Sequence, residues 1–281
     1  MSFRGSKCPN IMCVECGCNN PVPFGIKVIR AFAPGLLRAN TVAPVAVSEG
    51  APAGADVRPT GAVPTRVVDV HVPLLAKNDR VAARNREGFR RRGLLALNLV
   101  SSPGAGKTTL LGRTLDEFGR AVQCAVVVGD LETDNDARRL ARPHVPVAQI
   151  TTGTACHLDA EMVAKSVDSL DLAGVRVLFI ENVGNLVCPA EFDLGEELRV
   201  VLLSTTEGED KPLKYPPIFK SAHVVLLTKT DVADVLGFSR ETAAENIRRI
   251  APQAKLIQLS ARSGEGMDEW YALLRARLPK R

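Results

Sequence analysis

Residues 94–109 of the chain read LLALNLVSSPGAGKTT, and this stretch decides the fold. Its first seven residues form a short apolar run that ends in a glycine-rich turn, which predicts a buried strand over 94–100. The turn then opens a helix predicted over 107–118. A glycine-rich turn between a strand and a helix is typical of a P-loop, in which backbone N–H groups converge on phosphate oxygens.

Individual residues of this turn have defined chemical tasks. Lys107 supplies positive charge to the β- and γ-phosphates of a nucleotide, and the Thr108 hydroxyl is a ligand for Mg²⁺. The strict P-loop pattern has glycine at position 101, where this chain has Ser101. The residues predicted to bind the nucleotide here are Ser102, Gly104, Ala105, Gly106, Lys107, Thr108 and Thr109.

The chain beyond the turn alternates between two patterns. Short apolar runs that predict strands lie at 124–129, 175–180, 200–204, 223–228 and 255–260. Helical patterns lie at 77–92, 133–141, 157–170, 239–250 and 267–278, and residues 67–75 look extended. Buried strands that alternate with helices predict an α/β domain over 67–281 with a P-loop NTPase fold, a mostly parallel sheet and helices on both faces.

The first 66 residues have a different character. Residues 1–20 contain four of the seven cysteines. Residues 21–66 contain seven of the eighteen prolines and keep neither a helical nor a strand period, which predicts a flexible Pro- and Ala-rich linker. We therefore expect a flexible N-terminal metal-binding leader before the globular domain.

The composition excludes several classes of protein. Apolar residues make up 46% and charged residues 24%, as in globular proteins. No apolar stretch reaches the ~18 residues of a membrane span, and the first residues lack the apolar region of a secretory signal. Residues 67–281 carry 29 basic and 28 acidic residues, which gives no basic surface for nucleic acid. We expect a cytoplasmic protein with reduced thiols that binds neither nucleic acid nor membrane.

Two carboxylates end predicted strands, where the sites of α/β proteins are found. Asp130 closes CAVVVGD and Glu181 closes VRVLFIE. Asp130 is expected to act on the nucleotide, with Glu132 nearby, although capping of the next helix by the acidic residues from Asp130 to Asp134 is the alternative. Glu181 is followed by Gly184, a layout suited to sensing a γ-phosphate. Lys107, Asp130 and Glu181 are thus the predicted catalytic residues.

A second motif points to the base of the nucleotide. Asp231, in Thr228-Lys229-Thr230-Asp231, can accept hydrogen bonds from both N1–H and the exocyclic amine of guanine, a pair that adenine does not offer. Lys229 would cover the ring, and Ser260-Ala261 resembles the loop behind the guanine carbonyl. The usual motif begins with Asn, where this chain has Thr228. Together these residues favour GTP over ATP.

Soft metal ligands are expected near the loop predicted to sense the γ-phosphate. Cys156 and His157 are adjacent, and Cys188 follows a few residues after Gly184. A thiolate and an imidazole suit Zn²⁺ or Ni²⁺. Because neighbouring side chains of an extended segment point apart, we expect the site to be completed across a twofold axis. Cys124, inside a predicted strand, is expected in the core.

The N-terminal cysteines form a separate cluster. Cys13, Cys16 and Cys18 have the spacing C-x-x-C-x-C, which can wrap one soft ion, and Cys8 is a possible fourth ligand. An iron–sulfur or structural zinc site is the alternative reading of these four thiols.

Taken together, these residues resemble the HypB family, the GTPases that deliver nickel to [NiFe]-hydrogenase. The resemblance covers about residues 70–278. It rests on the segments LAKNDRVAARNR, ALNLVSSPGAGKTTLL, GDLETDNDA, CHLDAEM, FIENVGNLVCPAEFDLGE, TEGEDKPLKYP and SARSGEGMDEW. The loop of the family also carries Ser-Ser-Pro-Gly, so Ser101 is expected there.

The resemblance implies several properties. It implies a SIMIBI-class domain that dimerises with GTP bound, and a Zn²⁺ or Ni²⁺ site of Cys156, His157 and Cys188 at the dimer interface. It implies tight nickel binding by the N-terminal C-x-x-C-G-C motif. It also implies the accessory protein HypA and the hydrogenase large subunit as partners. Thr228 remains a departure from the family, and the four histidines do not form a nickel-storing stretch.

In this family the cysteine motif directly follows the initiator Met, and here Met12 directly precedes Cys13. We therefore expect translation to start at Met12, so that the freed α-amine of Cys13 joins the three thiolates as a fourth nickel ligand. If residues 1–11 are retained, Cys8 is the better fourth ligand.

The predicted function is that of a GTP-hydrolysing metallochaperone that uses Mg²⁺, binds Ni²⁺ or Zn²⁺ and turns over slowly. One alternative is a urease-type nickel accessory GTPase, which would lack the N-terminal cysteine cluster. Another is a passive nickel or zinc buffer that binds nucleotide without significant turnover.

Overall fold

The computed structural model describes residues 24–32, 36–41 and 71–280. The strands in these ranges are β1 (Gly25–Phe32), β2 (Leu36–Thr41), β3 (Leu95–Ser101), β4 (Cys124–Asp130), β5 (Val147–Thr151), β6 (Val177–Glu181), β7 (Leu198–Ser204), β8 (Val224–Thr228) and β9 (Lys255–Gln258). The helices are α1 (His71–Arg91), α2 (Lys107–Glu117), α3 (Asn135–Leu140), α4 (Ala160–Asp168), α5 (Lys211–Lys214), α6 (Pro216–Lys220), α7 (Arg240–Ile250) and α8 (Met267–Arg277). None of the described helices is long and apolar enough to cross a membrane.

All nine described strands form one sheet, in the order β2-β1-β5-β4-β6-β3-β7-β8-β9. The seven strands from β5 to β9 in this order are parallel, whereas β1 is antiparallel to both of its neighbours. The predicted α/β fold with a mostly parallel sheet is therefore confirmed. Parallel ladders place the carboxyl ends of the strands at one edge, where the candidate site residues lie.

Side chains of the central strand β3 alternate between the two faces of the sheet. Leu97 and Leu99 pack in a cluster with residues of α2, α3 and α8, including Trp270. Ala96 packs on the opposite face with residues of α1 and α4, including Phe89. Since both faces are covered, the central strands are mainly apolar, which is why the sequence shows most of them as apolar runs.

The linker prediction is wrong for two segments. Residues 25–32 and 36–41, inside the predicted linker 21–66, are strands β1 and β2. The backbone of β1 pairs with β5, its Ile29 is buried, and Lys27 forms an ion pair with Asp134 at 2.6 Å. These contacts come from tertiary partners, so the local sequence period does not reveal them. The rest of the predicted linker, and the cysteine cluster of residues 1–20, lie outside the described residues.

Two further differences have local causes. Residues 71–75, expected to be extended, belong to α1, because Pro73 stands in the first helical turn, where a missing N–H costs nothing. Strand β5 was not predicted, because Gln149 interrupts its apolar run. Gln149 is nevertheless buried, and its side-chain amide donates to the Ile150 carbonyl.

Candidate functional site

The P-loop lies between β3 and α2, as predicted. Gly104 and Gly106 have φ angles of 76° and 100°, which side chains rarely tolerate, so the turn requires glycine there. Lys107 Nζ donates a hydrogen bond of 2.8 Å to Ser101 Oγ. Burial lowers the pKa of Lys107, while the charge of Glu181 opposes that shift. Ser101 therefore holds the lysine at the place where the strict motif has glycine.

Glu181 is buried at the carboxyl end of β6, beside the P-loop. The Thr108 hydroxyl donates a hydrogen bond of 2.7 Å to Glu181 Oε1. Glu181 Oε2 is buried and has no hydrogen-bond partner among the described residues. Burial raises the pKa of Glu181 to about 7. A hard cation such as Mg²⁺ prefers oxygen ligands of this kind, so the Thr108 hydroxyl and the orphaned carboxylate oxygen fit it.

Asp130 ends β4 and shapes the loop that follows. Its Oδ1 accepts hydrogen bonds from the backbone N–H groups of Glu132 at 3.0 Å and Thr133 at 2.8 Å. The Asp130 carboxylate therefore caps the turn after β4. It does not cap α3, the alternative considered for these acidic residues, because that helix begins only at Asn135. Glu132 is exposed. Lys27 and Arg138 both bond to Asp134, and with Arg138 as the larger cause they lower its pKa to about 2.

The guanine-motif residues meet the P-loop around one cavity of about 250 Å³. Its lining includes Ala105, Gly106, Thr109, Thr228, Lys229, Asp231, Ser260 and Ala261. The structure therefore brings the two predicted segments together, although they are separated by more than a hundred residues from the P-loop. The cavity has the position expected for a base next to the phosphate-binding turn.

Thr228 connects this cavity to the P-loop directly. Its buried hydroxyl donates a hydrogen bond of 2.8 Å to the backbone carbonyl of Ala105. Lys229, the next residue, has a left-handed backbone with a φ of 60°. Thr228, which stands where the usual motif has Asn, thus links the predicted base-binding segment to the P-loop.

The loop that begins at Ser260 is fixed from two sides. Ser260 Oγ accepts hydrogen bonds from the backbone N–H groups of Arg262 and Ser263. Arg113 of α2 donates to the Ala261 carbonyl at 3.0 Å. The wall of the cavity is therefore tied to the helix that the P-loop opens.

Sequence reasoning about individual motifs missed Lys211. This residue of α5 donates a hydrogen bond of 3.4 Å to Ser102 Oγ and forms an ion pair with Glu207 at 3.3 Å. Lys211 lies within the segment TEGEDKPLKYP, but 109 positions separate it from Ser102. No local pattern indicates such a contact.

The three soft ligands form a cluster within one chain. Cys156 Sγ lies 2.8 Å from Cys188 Sγ and 3.8 Å from His157 Nδ1, and all three ligand atoms lie within 4.8 Å of one another. Both cysteines are free thiols. Within the described part of the chain, this is the only such group of His, Cys, Asp or Glu side chains.

The expectation that Cys156 and His157 point apart is wrong. That argument holds for an extended segment, but β5 ends at Thr151 and the chain then turns, with the Ala155 N–H bonded to the Thr152 carbonyl. The His157 ring packs against Phe192 with a centroid separation of 3.9 Å. A second chain is therefore not required to bring three ligands together.

Burial shapes the protonation of this cluster. It raises the pKa of Cys156 to about 11, with the hydrogen bond to Cys188 adding to the shift, and it lowers the pKa of His157 to about 4. The neutral imidazole offers a lone pair, whereas the Cys156 thiol needs a cation to ionise at neutral pH. Cys124 lies in the core as predicted. Cys8, Cys13, Cys16 and Cys18 lie outside the described residues.

One loop connects the P-loop with the soft ligands. At Gly184, an added Cβ would lie 2.9 Å from Pro103 Cγ, so only glycine permits this close approach. The Asn185 side chain donates to the Cys156 carbonyl at 3.3 Å, and Cys188 follows three residues later. The segment from Glu181 to Cys188 thus contacts the phosphate-binding turn and the candidate metal site.

These features define a P-loop nucleotide-binding domain that carries a candidate soft-metal site. The family model described as "CobW/HypB/UreG, nucleotide-binding domain" matches residues 95–258. The hydrogenase maturation factor HypB of Azotobacter chroococcum is 53% identical over 208 residues, which cover 74% of this chain and 68% of that protein. The chain therefore belongs to the HypB family of hydrogenase maturation factors.

Two further comparisons concern Helicobacter pylori. Its hydrogenase/urease maturation factor HypB is 42% identical over 205 residues, or 72% of this chain and 84% of that protein. The crystal structure of HypB from Helicobacter pylori in complex with nickel has a TM-score of 0.68 and 38% identity, and the match covers 73% of this chain and 98% of that one.

The buried carboxyl of Glu181 predicts a pH dependence of stability without nucleotide. Because its folded pKa of about 7 exceeds the unfolded value near 4.5, the folded state holds the proton more tightly. Stability should therefore fall as the pH rises from 5 to 8, by up to about 3 kcal/mol. Glu181→Gln should remove this part of the pH dependence. The free energy of unfolding of both proteins is measured by urea unfolding in EDTA at pH 5 and pH 8. If this free energy changes between the two pH values by the same amount in the wild type and in Glu181→Gln, the prediction is contradicted.

Proposed function

We propose that the chain is a GTP-hydrolysing metallochaperone that binds Ni²⁺ or Zn²⁺ and delivers nickel during maturation of [NiFe]-hydrogenase. The observation that carries the proposal is the shared segment from Glu181 to Cys188, which contacts the P-loop at Pro103 and supplies a soft ligand. Membership of the HypB family and the nickel complex of the Helicobacter pylori relative support it.

The chain's own residues divide the work on GTP. The P-loop backbone and Lys107 bind the phosphates, while Asp231, Lys229 and the Ser260-Ala261 loop recognise guanine. Mg²⁺, held by Thr108 and the carboxylate of Glu181, would neutralise phosphate charge. Asp130, at the end of β4, orients the attacking water. Loss of the γ-phosphate then relaxes the loops that end β4 and β6.

Nickel is the cargo of this cycle. Cys156, His157 and Cys188 bind Ni²⁺ or Zn²⁺, and Cys13, Cys16 and Cys18 bind nickel in the leader. The GTP-bound chain dimerises, and HypA and the hydrogenase large subunit are its partners. A urease client is the second candidate, favoured only because the Helicobacter pylori relative is a hydrogenase/urease maturation factor.

Hydrolysis tests the enzymatic part of the proposal. Lys107→Ala should reduce steady-state GTP turnover by at least about 100-fold, because the buried ammonium stabilises charge on the transferred phosphoryl group. The exposed Lys220→Ala should keep the wild-type rate. Released phosphate is measured for the three proteins. Wild-type turnover no faster than that of Lys107→Ala would favour the passive metal buffer.

Base recognition is tested at Asp231. Asp231→Asn should weaken GTP binding about 10–100-fold, because the amide no longer accepts both guanine donors. The same variant should bind xanthosine triphosphate more tightly than the wild type does, because its amide can donate to the xanthine 2-carbonyl. Fluorescent-nucleotide competition measures both affinities. The nearby exposed Asp234→Asn is the matched control, and equal effects of the two variants would exclude Asp231 as the base contact.

Metal binding is tested in a full chain with Ser at positions 8, 13, 16 and 18, so that only the internal site reports. Cys156→Ala and Cys188→Ala should each weaken Ni²⁺ binding at least about tenfold, because each removes one of three soft ligands. Cys124→Ala, a core thiol, should not. Competition with a chromophoric chelator measures the affinity. Unchanged affinity in both site variants would refute this site.

A further inference from the structure

A buried polar network begins at Asn182, the residue directly after Glu181. Asn182 is only 2% exposed. Its Oδ1 accepts hydrogen bonds from the backbone N–H of Leu158 at 3.1 Å and of Val183 at 2.9 Å. Leu158 directly follows His157. One side chain therefore connects the end of β6 with the segment that carries two of the soft ligands.

The other end of the Asn182 amide extends the network through the core. Its Nδ2 donates to Asn98 Oδ1 at 3.2 Å, and Asn98 Nδ2 donates to Glu196 Oε1 at 3.3 Å. Glu196 in turn accepts a hydrogen bond from Arg199 Nε at 2.9 Å. All four side chains are buried. Such a network has no water to substitute for a broken bond, so its members keep their relative positions.

Arg199 carries the network to the second ligand segment. Its guanidinium donates to the backbone carbonyls of Ala190 at 3.1 Å and Phe192 at 2.8 Å. Ala190 lies two residues after Cys188, and the Phe192 ring packs on His157. Both segments that supply the soft ligands are thus bonded to the same buried network.

We propose that Asn182 is the positioning residue that couples occupancy of the nucleotide site to the geometry of the Cys156, His157 and Cys188 site. The inference rests on the proposed function, because it requires both ligands to bind. Asn182 adjoins Glu181 in the chain, so a displacement of Glu181 towards a bound cation displaces Asn182 as well. Leu158 must follow or lose its hydrogen bond, and His157 moves with Leu158.

The amide is the side chain that this position requires. Leucine of similar volume would leave the N–H groups of Leu158 and Val183 without their acceptor. Aspartate would keep the acceptor but would bury a second carboxylate beside Glu181 and face the Asn98 oxygen. A neutral group that both donates and accepts satisfies all three neighbours.

The experiment measures thermodynamic coupling in the full chain with the substitutions Cys8→Ser, Cys13→Ser, Cys16→Ser and Cys18→Ser. The Ni²⁺ dissociation constant is determined with and without Mg²⁺ and a non-hydrolysable GTP analogue. In the parent protein, the Ni²⁺ dissociation constants measured with and without these additions should differ about 5–150-fold, as is usual for coupled sites. Asn182→Leu should reduce this ratio to less than about twofold while nickel and nucleotide each still bind alone.

Asn85→Leu is the matched control. Asn85 is also a buried asparagine, and it donates to the Ala160 carbonyl at the start of α4 and to the Leu194 carbonyl. Neither of these bonds involves Asn182, Asn98, Glu196 or Arg199. Asn85→Leu should show the same ratio of Ni²⁺ dissociation constants as the parent protein. A loss of coupling in Asn182→Leu alone is then not explained by a general loss of packing near α4.

Hydrogen exchange in the parent protein provides a test that needs no core substitution. Addition of Mg²⁺ and the GTP analogue should change the exchange rate of the Leu158 amide severalfold. The Met162 amide, which bonds to Asp159 at the N-cap of α4, should change less. The role of Asn182 is overturned if Asn182→Leu keeps the parent's ratio of Ni²⁺ dissociation constants. It is also overturned if the exchange rate of the Leu158 amide in the parent does not change. A parent that binds no nucleotide or no nickel refutes the proposed function instead, and the inference with it.

Discussion

The burial of Glu181 against the P-loop is the constraint on which the rest of the site depends. Parallel pairing of β6 with a strand on each side holds the Glu181 carboxylate at the end of β6. The Thr108 hydroxyl, next to the phosphate-binding turn, donates a hydrogen bond to it. One of its oxygens is desolvated and has no hydrogen-bond partner within residues 24–32, 36–41 and 71–280. Such a group is stable only with a proton or with a cation. It therefore makes the local structure responsive to what binds at the P-loop.

The sequence predicted the strands and loops that can be recognised from their own residues. The strands β3, β4, β6, β7 and β8 are buried on both faces, so each of them appears as a mainly apolar run, although Asn98 lies in β3 and Arg199 in β7. The P-loop residues, Asp231 and Ser260, all predicted to contact the nucleotide, line one cavity, because motif order along a parallel sheet dictates which ends share an edge. Strands β1 and β5 were not predicted, because β1 is held by its backbone pairing with β5 and because Gln149 interrupts the apolar run of β5.

The parts of the site that could not be predicted are those held by distant partners. Asn182 and Arg199 look like ordinary polar residues until the fold places Leu158 and Phe192 beside them. Lys211 reaches Ser102 only through the packing of α5. Thr228 seemed a weakened guanine motif, but its hydroxyl binds the Ala105 carbonyl. In each case the physical role depends on a backbone group that the sequence does not position.

The antiparallel pairing of β1 has a consequence for the leader. Gly25, the first residue of β1, pairs with Thr151, the last residue of β5, and Cys156 follows five positions later. Seven residue steps separate Cys18 from Gly25, so the tether spans at most about 25 Å even when fully stretched. Transfer of an ion between these cysteines and the internal ligands of the same chain would therefore depend on the length of the tether and not on the protein concentration.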